Sequence, residues 1–425
     1  MEEKMIAEGE PTKGFFIDML TRDILLSDAI FDLVDNSIDG ARKLRGNGDL
    51  NGLKIEINLT KDKFSIADNC GGFSIETARK YAFRFGRPEE FKKENNYSIG
   101  RFGIGMKRAL FKIGSSFSVQ SKCENDLFEV QADLKKWITT SKWGFDINEE
   151  IEGNFEEDGT KITISCLHPS VAQDLSSEIT INKLKDTLEK TYYAIIEKNM
   201  LIKLNGRPLE PEFIELFDNE VITPVVEIFK EDNFSGKIVA GLSYGNPTKA
   251  GWYIFCNDRL VVDADKSSLT GWGGKDDSTG HGLVFHNTFA MFRGLVYLEA
   301  DDPFDLPLTT TKSGLDWDSD TYKYIKLKMV NTIKSVTPII NKIKDLGIED
   351  ELLEDPKFNL TRNIQSENYI EKKTFEIRKK ITKTTARIQY EIKLKELEEA
   401  KEILKVRTNK DVGVATFKYF MDMES

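Results

Sequence analysis

The sequence predicts an α+β fold in three parts: an α/β sandwich, a second α+β domain and a C-terminal helical segment. Three observations predict it. Residues 26–42 place Ala29, Ile30, Leu33, Val34, Ile38 and Ala41 at the period of a helix with one buried face. Residues 53–59 and 63–67 alternate as half-buried strands do. Glycines at 71–72 and at 100, 103 and 105 sit between such elements, where the backbone must turn or approach something closely.

At 425 residues the chain is too long for one core. Its 40% hydrophobic content suffices for packed domains, and its 31% charged content suits long exposed helices. A net charge of −11 argues against coating nucleic acid through the overall field, though it leaves room for a local basic patch. Cys70, Cys123, Cys166 and Cys256 are widely spaced with no CxxC pair, so reduced, buried thiols are expected rather than a zinc site or a disulfide framework. Residues 1–14 are polar and acidic, unlike a signal peptide, and no apolar run approaches the ~20 residues of a membrane span. A soluble, cytoplasmic protein with no membrane contact is expected.

In chain order, residues 15–20 form an apolar patch ahead of the first helix. That helix, 26–42, has Ser27 or Asp28 as N-cap and is loosened near its end by Gly40. Residues 75–83 read as helical, 84–96 as a charged loop and 106–113 as a helix opening straight after the second glycine stretch. Residues 117–120, 128–132 and 161–165 read as strands. A helix over 179–198 bridges into the second domain, where 200–204 is a strand before the turn 205–208. Residues 251–263 read as two strands about a turn at Asn257-Asp258, and 294–298 as another strand. Residues 321–343 are helical with a kink at Pro338. Residues 368–405 lack glycine and proline and read as helix-forming; their two apolar stripes break heptad register, which favours docking or a short helical hairpin over a coiled coil.

Asp32, Asp35, Asn36 and Asp39 recur at spacings of three and four and so share one side of the first amphipathic helix. Like charges repel, so the cluster is either a solvated acidic face or the surroundings of a hard cation, which takes oxygen ligands. Gly100, Gly103 and Gly105 precede a helix, whose N-terminus and loop amides make an anion site.

That helix, the stretch IADNCGGF at 66–73 and the stretch SIGRFGIGMKRALFKIG at 98–114 together resemble the N, G1 and G2 boxes of the GHKL ATPases. This class includes gyrase, the HSP90-type chaperones, histidine kinases and MutL, and the nearest likeness is to MutL and the MORC proteins. The resemblance covers about residues 15–335. It implies a Bergerat-type ATP-binding α/β sandwich at 1–178, a transducer-like α+β domain at 179–345 and a C-terminal helical segment at 346–425. In the second domain it is carried by 205–208, 253–262 and 306–315 and is weak between them.

By this resemblance Asn36 completes the shell of a magnesium ion and Asp68 accepts the exocyclic amino group of adenine. Gly72 lets the backbone approach the base. Cys70 departs from the Asp-x-Gly-x-Gly pattern, so its backbone must avoid glycine-only dihedrals. Gly100, Arg101, Phe102, Gly103, Ile104 and Gly105 would form the phosphate loop, with Lys107, and also Arg101 or Arg108, reaching phosphate. The loop 84–105 would be the lid. Thr160 would hydrogen-bond the aspartate–adenine system. Lys312, from the loop 308–315, would reach the terminal phosphate from the second domain. Asp32 stands where most relatives carry glutamate to orient or deprotonate the attacking water; one methylene of lost reach points to slow turnover. Asp35 is the alternative carboxylate. Residues 15–20 either reach a partner subunit or cap their own domain.

The resulting expectation is an ATP-binding, magnesium-dependent, slowly hydrolysing conformational clamp. It would form a nucleotide-dependent homodimer through its ATP domains and act on DNA or a protein client. The alternative is a non-hydrolysing ATP-dependent switch or interaction module in a prokaryotic defence system. A histidine kinase is disfavoured because His168, His281 and His286 all follow the boxes, and a type II topoisomerase subunit because no cleavage domain follows.

Overall fold

The computed structural model describes residues 9, 11–86, 103–149, 151, 155–218, 222–273, 283–309, 311–312, 314–346, 376–377 and 388–424. They fall in two compact units, Met1–Lys379 and Lys380–Ser425. The lid stretch 87–102 and most of 1–12 lie outside the described residues.

The first unit opens with helix α1 (Lys13–Thr21) and helix α2 (Leu26–Arg45). Residues 15–20 are therefore not a patch ahead of the first helix; they are the first helix. Lys13 anchors it. Its buried ammonium donates to the carbonyls of Trp137 (2.8 Å), Thr140 (2.8 Å) and Lys142 (2.6 Å) and lies 4.3 Å from the Trp137 ring centroid. Phe16 packs edge-on against Phe85 and Trp143, so α1 caps its own domain, while Phe15 stays exposed. Helix α2 starts earlier than the sequence suggests: Leu25 is the N-cap, with no side-chain bond, and Asp28 falls in the first turn, where the helix dipole favours it. Gly40 does not end the helix either. A Cβ there would stand 2.6 Å from the Cys70 carbonyl oxygen, so glycine is what lets α2 lie against the loop after the second strand.

Eight strands form a sheet beneath α2: β1 (Lys54–Leu59), β2 (Lys63–Asp68), β3 (Gly114–Cys123), β4 (Asp126–Asp133), β5 (Ile147–Asn148), β6 (Gly159–Leu167), β7 (Leu201–Leu204) and β8 (Arg207–Pro208). Their order is β5-β4-β3-β6-β2-β1-β7-β8, antiparallel except for β1 beside β7. Between β2 and β3 lie helix α3 (Ile75–Thr77), which continues as a π turn over Ala78–Ala82, and helix α4 (Gly105–Ile113). Helix α5 (Leu134–Thr139) follows β4. Ile30, Leu33, Val34 and Ile38 of α2 join Leu110 and Ile113 of α4 and Ile55, Ile57, Phe64, Val119 and Ile164 of the sheet in one core. The helical and alternating periods read in the sequence thus meet face to face, giving the α/β sandwich.

After β6 come helices α6 (Pro169–Ser176), α7 (Glu178–Thr191) and α8 (Tyr193–Glu197). The single helix expected over 179–198 is broken at Tyr192, at φ −110° and ψ 18°. The break points neighbouring tyrosines at different layers: the Tyr192 hydroxyl donates to Asp35 of α2 at 2.8 Å, and the Tyr193 hydroxyl meets that of Tyr297 at 2.8 Å in the second sheet.

Short β9 (Ile222–Thr223) leads into a five-stranded sheet of β10 (Val225–Lys230), β11 (Ser235–Leu242), β12 (Gly251–Cys256), β13 (Arg259–Asp265) and β14 (Phe292–Glu299), ordered β10-β11-β14-β12-β13. All six residues of β12 are buried. Tyr253 and Phe255 cluster with Tyr193 and Ala194 of α8 on one side, while helix α9 (Asp320–Leu346) packs on β11 and β14. Helix α9 continues through Pro338, which has no N–H to donate to the carbonyl one turn back. Both hairpin turns have two central residues at positive φ, as type I′ requires: Asn205-Gly206 and Asn257-Asp258.

Residues 368–405 do not form one long helix. Residues 376–377 are a strand, β15 (Glu376–Ile377), paired with β9, and among the described residues of this stretch helix begins at Leu394. Ile388, Tyr390 and Ile392 alternate β-branched and aromatic residues, which favour extended backbone over helix. In the second unit the helices Leu394–Leu404 and Asn409–Glu424 pack on one another. The thiols also depart from expectation: Cys70 and Cys256 are buried, Cys123 is partly exposed and Cys166 is exposed. No described helix is long and apolar enough to cross a membrane.

The turn at Asn257-Asp258 ties the second sheet to α2. Asp258 accepts from Arg42 (2.8 Å) and is ion-paired with Lys198. Burial alone would raise its carboxyl, but Lys198 and Arg42 outweigh burial and hold it below the usual range. A depressed folded value contributes stability above the unfolded carboxyl value, about 3.9, and that stability is lost as pH falls through the folded one. Asp258→Asn is expected to cost about 3 kcal/mol at neutral pH. Urea titrations from pH 7 to pH 3 should show wild type losing its advantage over the variant below about pH 4.

Candidate functional site

The site is built on α2, because its buried face carries charge as well as the core. Asp32 and Asp35 are 1% and 0% exposed, so the reading of a solvated acidic face fails for both. Each has a resident arginine. Arg108 of α4 donates to Asp32 Oδ2 through Nε (3.2 Å) and through Nη2. Arg259 of β13 donates to Asp35 Oδ2 through Nη1. Lys312 lies between the two carboxylates, 2.9 Å from Asp35 Oδ2 and 3.2 Å from Asp32 Oδ1. The second distance is an ion-pair separation off hydrogen-bond alignment, and Asp32 Oδ1 accepts no hydrogen bond although it is buried. Three cations thus face two carboxylates in direct contact.

Burial raises the Asp35 carboxyl, and Arg259 and then Lys312 more than reverse this, leaving it below the usual range. Burial likewise lowers the Lys312 ammonium, and Asp35 and Asp32 bring it back above its ordinary value. Both groups are charged at neutral pH. Lys312 stands at φ +55°, a left-handed conformation that costs a non-glycine residue about 1 kcal/mol.

Asn36, one turn after Asp32, is exposed on the α2 surface next to the buried cluster. Gly105, the first residue of α4, sits directly on Asp32: a Cβ there would lie 3.0 Å from the carboxylate carbon. Ile104 is the N-cap of α4 and makes no side-chain capping bond. Gly103 has φ +64°. Gly100, Arg101 and Phe102 lie outside the described residues. Lys107 is buried and donates to the carbonyls of Ala82 (2.9 Å) and Gly103, so its ammonium is not aimed at the α2 face here. Arg108 is used by Asp32.

Asp68 closes the far end of the site. Its Oδ1 accepts from the Cys70 N–H (2.9 Å) and the Thr160 N–H (3.2 Å), and its Oδ2 accepts from the Ser37 hydroxyl (2.6 Å). The carboxylate is half-buried, and desolvation pushes it up against these three bonds. Oδ2 retains an acceptor position for an amino group. Thr160 is therefore joined to Asp68 through its backbone. Gly72, at φ +56°, has Lys122, Gly159 and Ser121 so close that a Cβ would overlap the Lys122 carbonyl at 2.2 Å. The positive φ that Cys70 could not supply falls on Gly71 and Gly72 instead.

The structure thus brings together Asp32, Asn36, Gly105 and Lys312 at one end and Asp68, Gly72 and Thr160 at the other. It adds Arg259, Tyr192 and Ser37, which the sequence reading did not single out. Ser37 adjoins Asn36, and Arg259 follows a turn that was read. Pairing to α2 from 157 to 224 residues away leaves no local signal. No group of three metal-ligating side chains occurs among the described residues.

Residues 24–160 match the family described as histidine kinase-, DNA gyrase B- and HSP90-like ATPase. A stretch of 131 residues is 30% identical to chaperone protein HtpG of Bacteroides thetaiotaomicron, covering 28% of this chain and 18% of that protein. Stretches of 136 residues are 29% identical to HtpG of two Bacteroides fragilis strains, covering 28% of this chain and 19% of each relative. The chain therefore spans about a fifth of the length of these curated relatives. Asp68→Asn, which turns one acceptor into a donor, should weaken ATP binding at least about tenfold, the loss expected when a buried polar pair is mismatched. Titration calorimetry checks it.

Proposed function

We propose that the chain, whose residues 24–160 match the histidine kinase-, DNA gyrase B- and HSP90-like ATPase family, is a magnesium-dependent, slowly hydrolysing ATPase of the GHKL type that works as a conformational clamp. The observation that carries the reading is the cluster under α2. A lysine from the loop before α9 meets Asp32 and Asp35, which precede Asn36 on α2, and each of these buried carboxylates also has its own arginine. An anion arriving beside Asn36 and the start of α4 would compete with Asp32 and Asp35 for that lysine.

In this reading Asp68 accepts the adenine amino group, supported by Ser37 and by the N–H groups of Cys70 and Thr160. Gly72 lets the turn after β2 close on β3 and β6, and Gly105 lets α4 begin against Asp32, which sets the walls of the site. Asn36 would hold the magnesium ion, which supplies charge neutralisation to the phosphates. Lys312 turns from Asp35 to the terminal phosphate. Asp32, with Oδ1 free of hydrogen bonds, orients the attacking water. Phosphoryl transfer depends on positioning and charge, so a carboxylate held by Arg108 serves better to orient than to take a proton. The same clasp favours the second reading, a switch that hardly turns over. In this reading the ATP-binding domain expected at 1–178 also takes in β7 and β8 of its sheet, and the five-stranded sheet with α9 is the transducer-like domain. The likeness to MutL and MORC proteins suggests a nucleotide-dependent homodimer acting on DNA. The relatives named as chaperones suggest a protein client.

Two experiments test this. Light scattering should show a rise in mass toward a dimer with a non-hydrolysable ATP analogue and magnesium, and none with ADP; no nucleotide dependence would remove the clamp. Asp32→Asn should keep ATP binding and lose turnover by about a hundredfold. Equal rates would move the role to another group, and no turnover in wild type would favour the switch.

A further inference from the structure

The three cations under α2 are not equivalent. Arg108 comes from a helix and Arg259 from a strand; Lys312 alone comes from a loop and from a left-handed residue. Each carboxylate has its own arginine and the two share the lysine. Losing the only counter-ion of a buried carboxylate is strongly disfavoured. Asp35, wholly buried, would meet that fate on losing Lys312 if Arg259 were absent. With Arg259 present it keeps a guanidinium, and the Tyr192 hydroxyl as well. The Arg259 Nε–H has no acceptor among the described residues, so this guanidinium holds a further donor in reserve. Arginine stays charged and planar, whereas lysine is a mobile point charge suited to changing partners.

We propose that Arg259 is the standing counter-ion of Asp35 and thereby a positioning residue for Lys312: it frees the lysine to exchange a carboxylate for the terminal phosphate. The inference rests on the reading of Lys312 given above. Strand β13 then sets how readily a triphosphate is told from a diphosphate, without touching either. Without Arg259, Asp35 retains Lys312 and the discrimination is lost.

The test uses the full chain with magnesium and compares ADP with a non-hydrolysable ATP analogue by calorimetry. Arg259→Gln should lower the preference for the analogue about tenfold, within the range of coupling between sites, and leave ADP affinity within about twofold. Adding Asp35→Asn to Arg259→Gln should restore the preference, because no carboxylate is left to retain the lysine; a purely structural arginine would show no such rescue. A preference unchanged in Arg259→Gln, or a double variant as poor as the single, overturns the proposal. If Arg259→Gln does not fold, Asp35→Asn alone decides: its preference should rise several-fold, and a fall or no change overturns the proposal. Lys312→Met separates the two levels. If it leaves the preference intact, the reading of Lys312 fails; if it abolishes the preference while Arg259→Gln does not, only the role of Arg259 fails.

Discussion

Everything around the candidate site depends on one buried carboxylate. Asp35 stands on the inner side of α2 with no exposure to solvent, and it receives Arg259 from β13, Lys312 from the loop before α9 and Tyr192 from the break between α7 and α8. A lone ionised carboxylate in such a place is untenable. Its charge therefore dictates where three distant parts of the chain must come to rest. Hydrophobic burial makes the two sheets cohere, but burial is indifferent to direction. The carboxylate supplies the direction by specifying which strand, which loop and which helix end face α2.

Asp258 works in the opposite sense. Its charge belongs to the second sheet and its partners, Arg42 and Lys198, to the first layer. The interface is thus charged reciprocally, an acid from each side accepting a base from the other. Such pairs add little net stability over an apolar seam, but a shifted register leaves charges unpaired on both sides. The apolar contacts around Tyr193, Phe255 and Tyr297 tolerate small displacements; the ion pairs do not.

Most of the first layer was legible because its signals are local. The apolar stripe of α2, the alternation of β1 and β2 and the glycines before α4 each declare themselves within a dozen residues. Asn36, Asp32 and Asp68 could be placed by motif and fell where their elements carry them. What escaped was set by distant neighbours. Leu25 caps α2 although Ser27 is the better capping residue, Tyr192 breaks a helix whose periodicity runs on, and residues 376–377 join β9 where composition suggests helix. Arg259 was invisible as a site residue because nothing near it in sequence says that its partner lies 224 residues earlier. Lys107 illustrates the converse: the motif marks it, but two carbonyls claim its ammonium.

The break at Tyr192 has a bearing on how such a chain can vary over generations. Two consecutive residues are committed to different neighbours, one to α2 and one to the second sheet. Each helical residue turns the chain by about 100 degrees, so inserting or deleting a single residue in α7 would swing both hydroxyls off their targets together. Drift in length is thereby confined to the loops beyond the joint. The spacing from the end of β6 to Tyr193 becomes a quantity on which selection can act directly, independent of the identity of the residues that fill it.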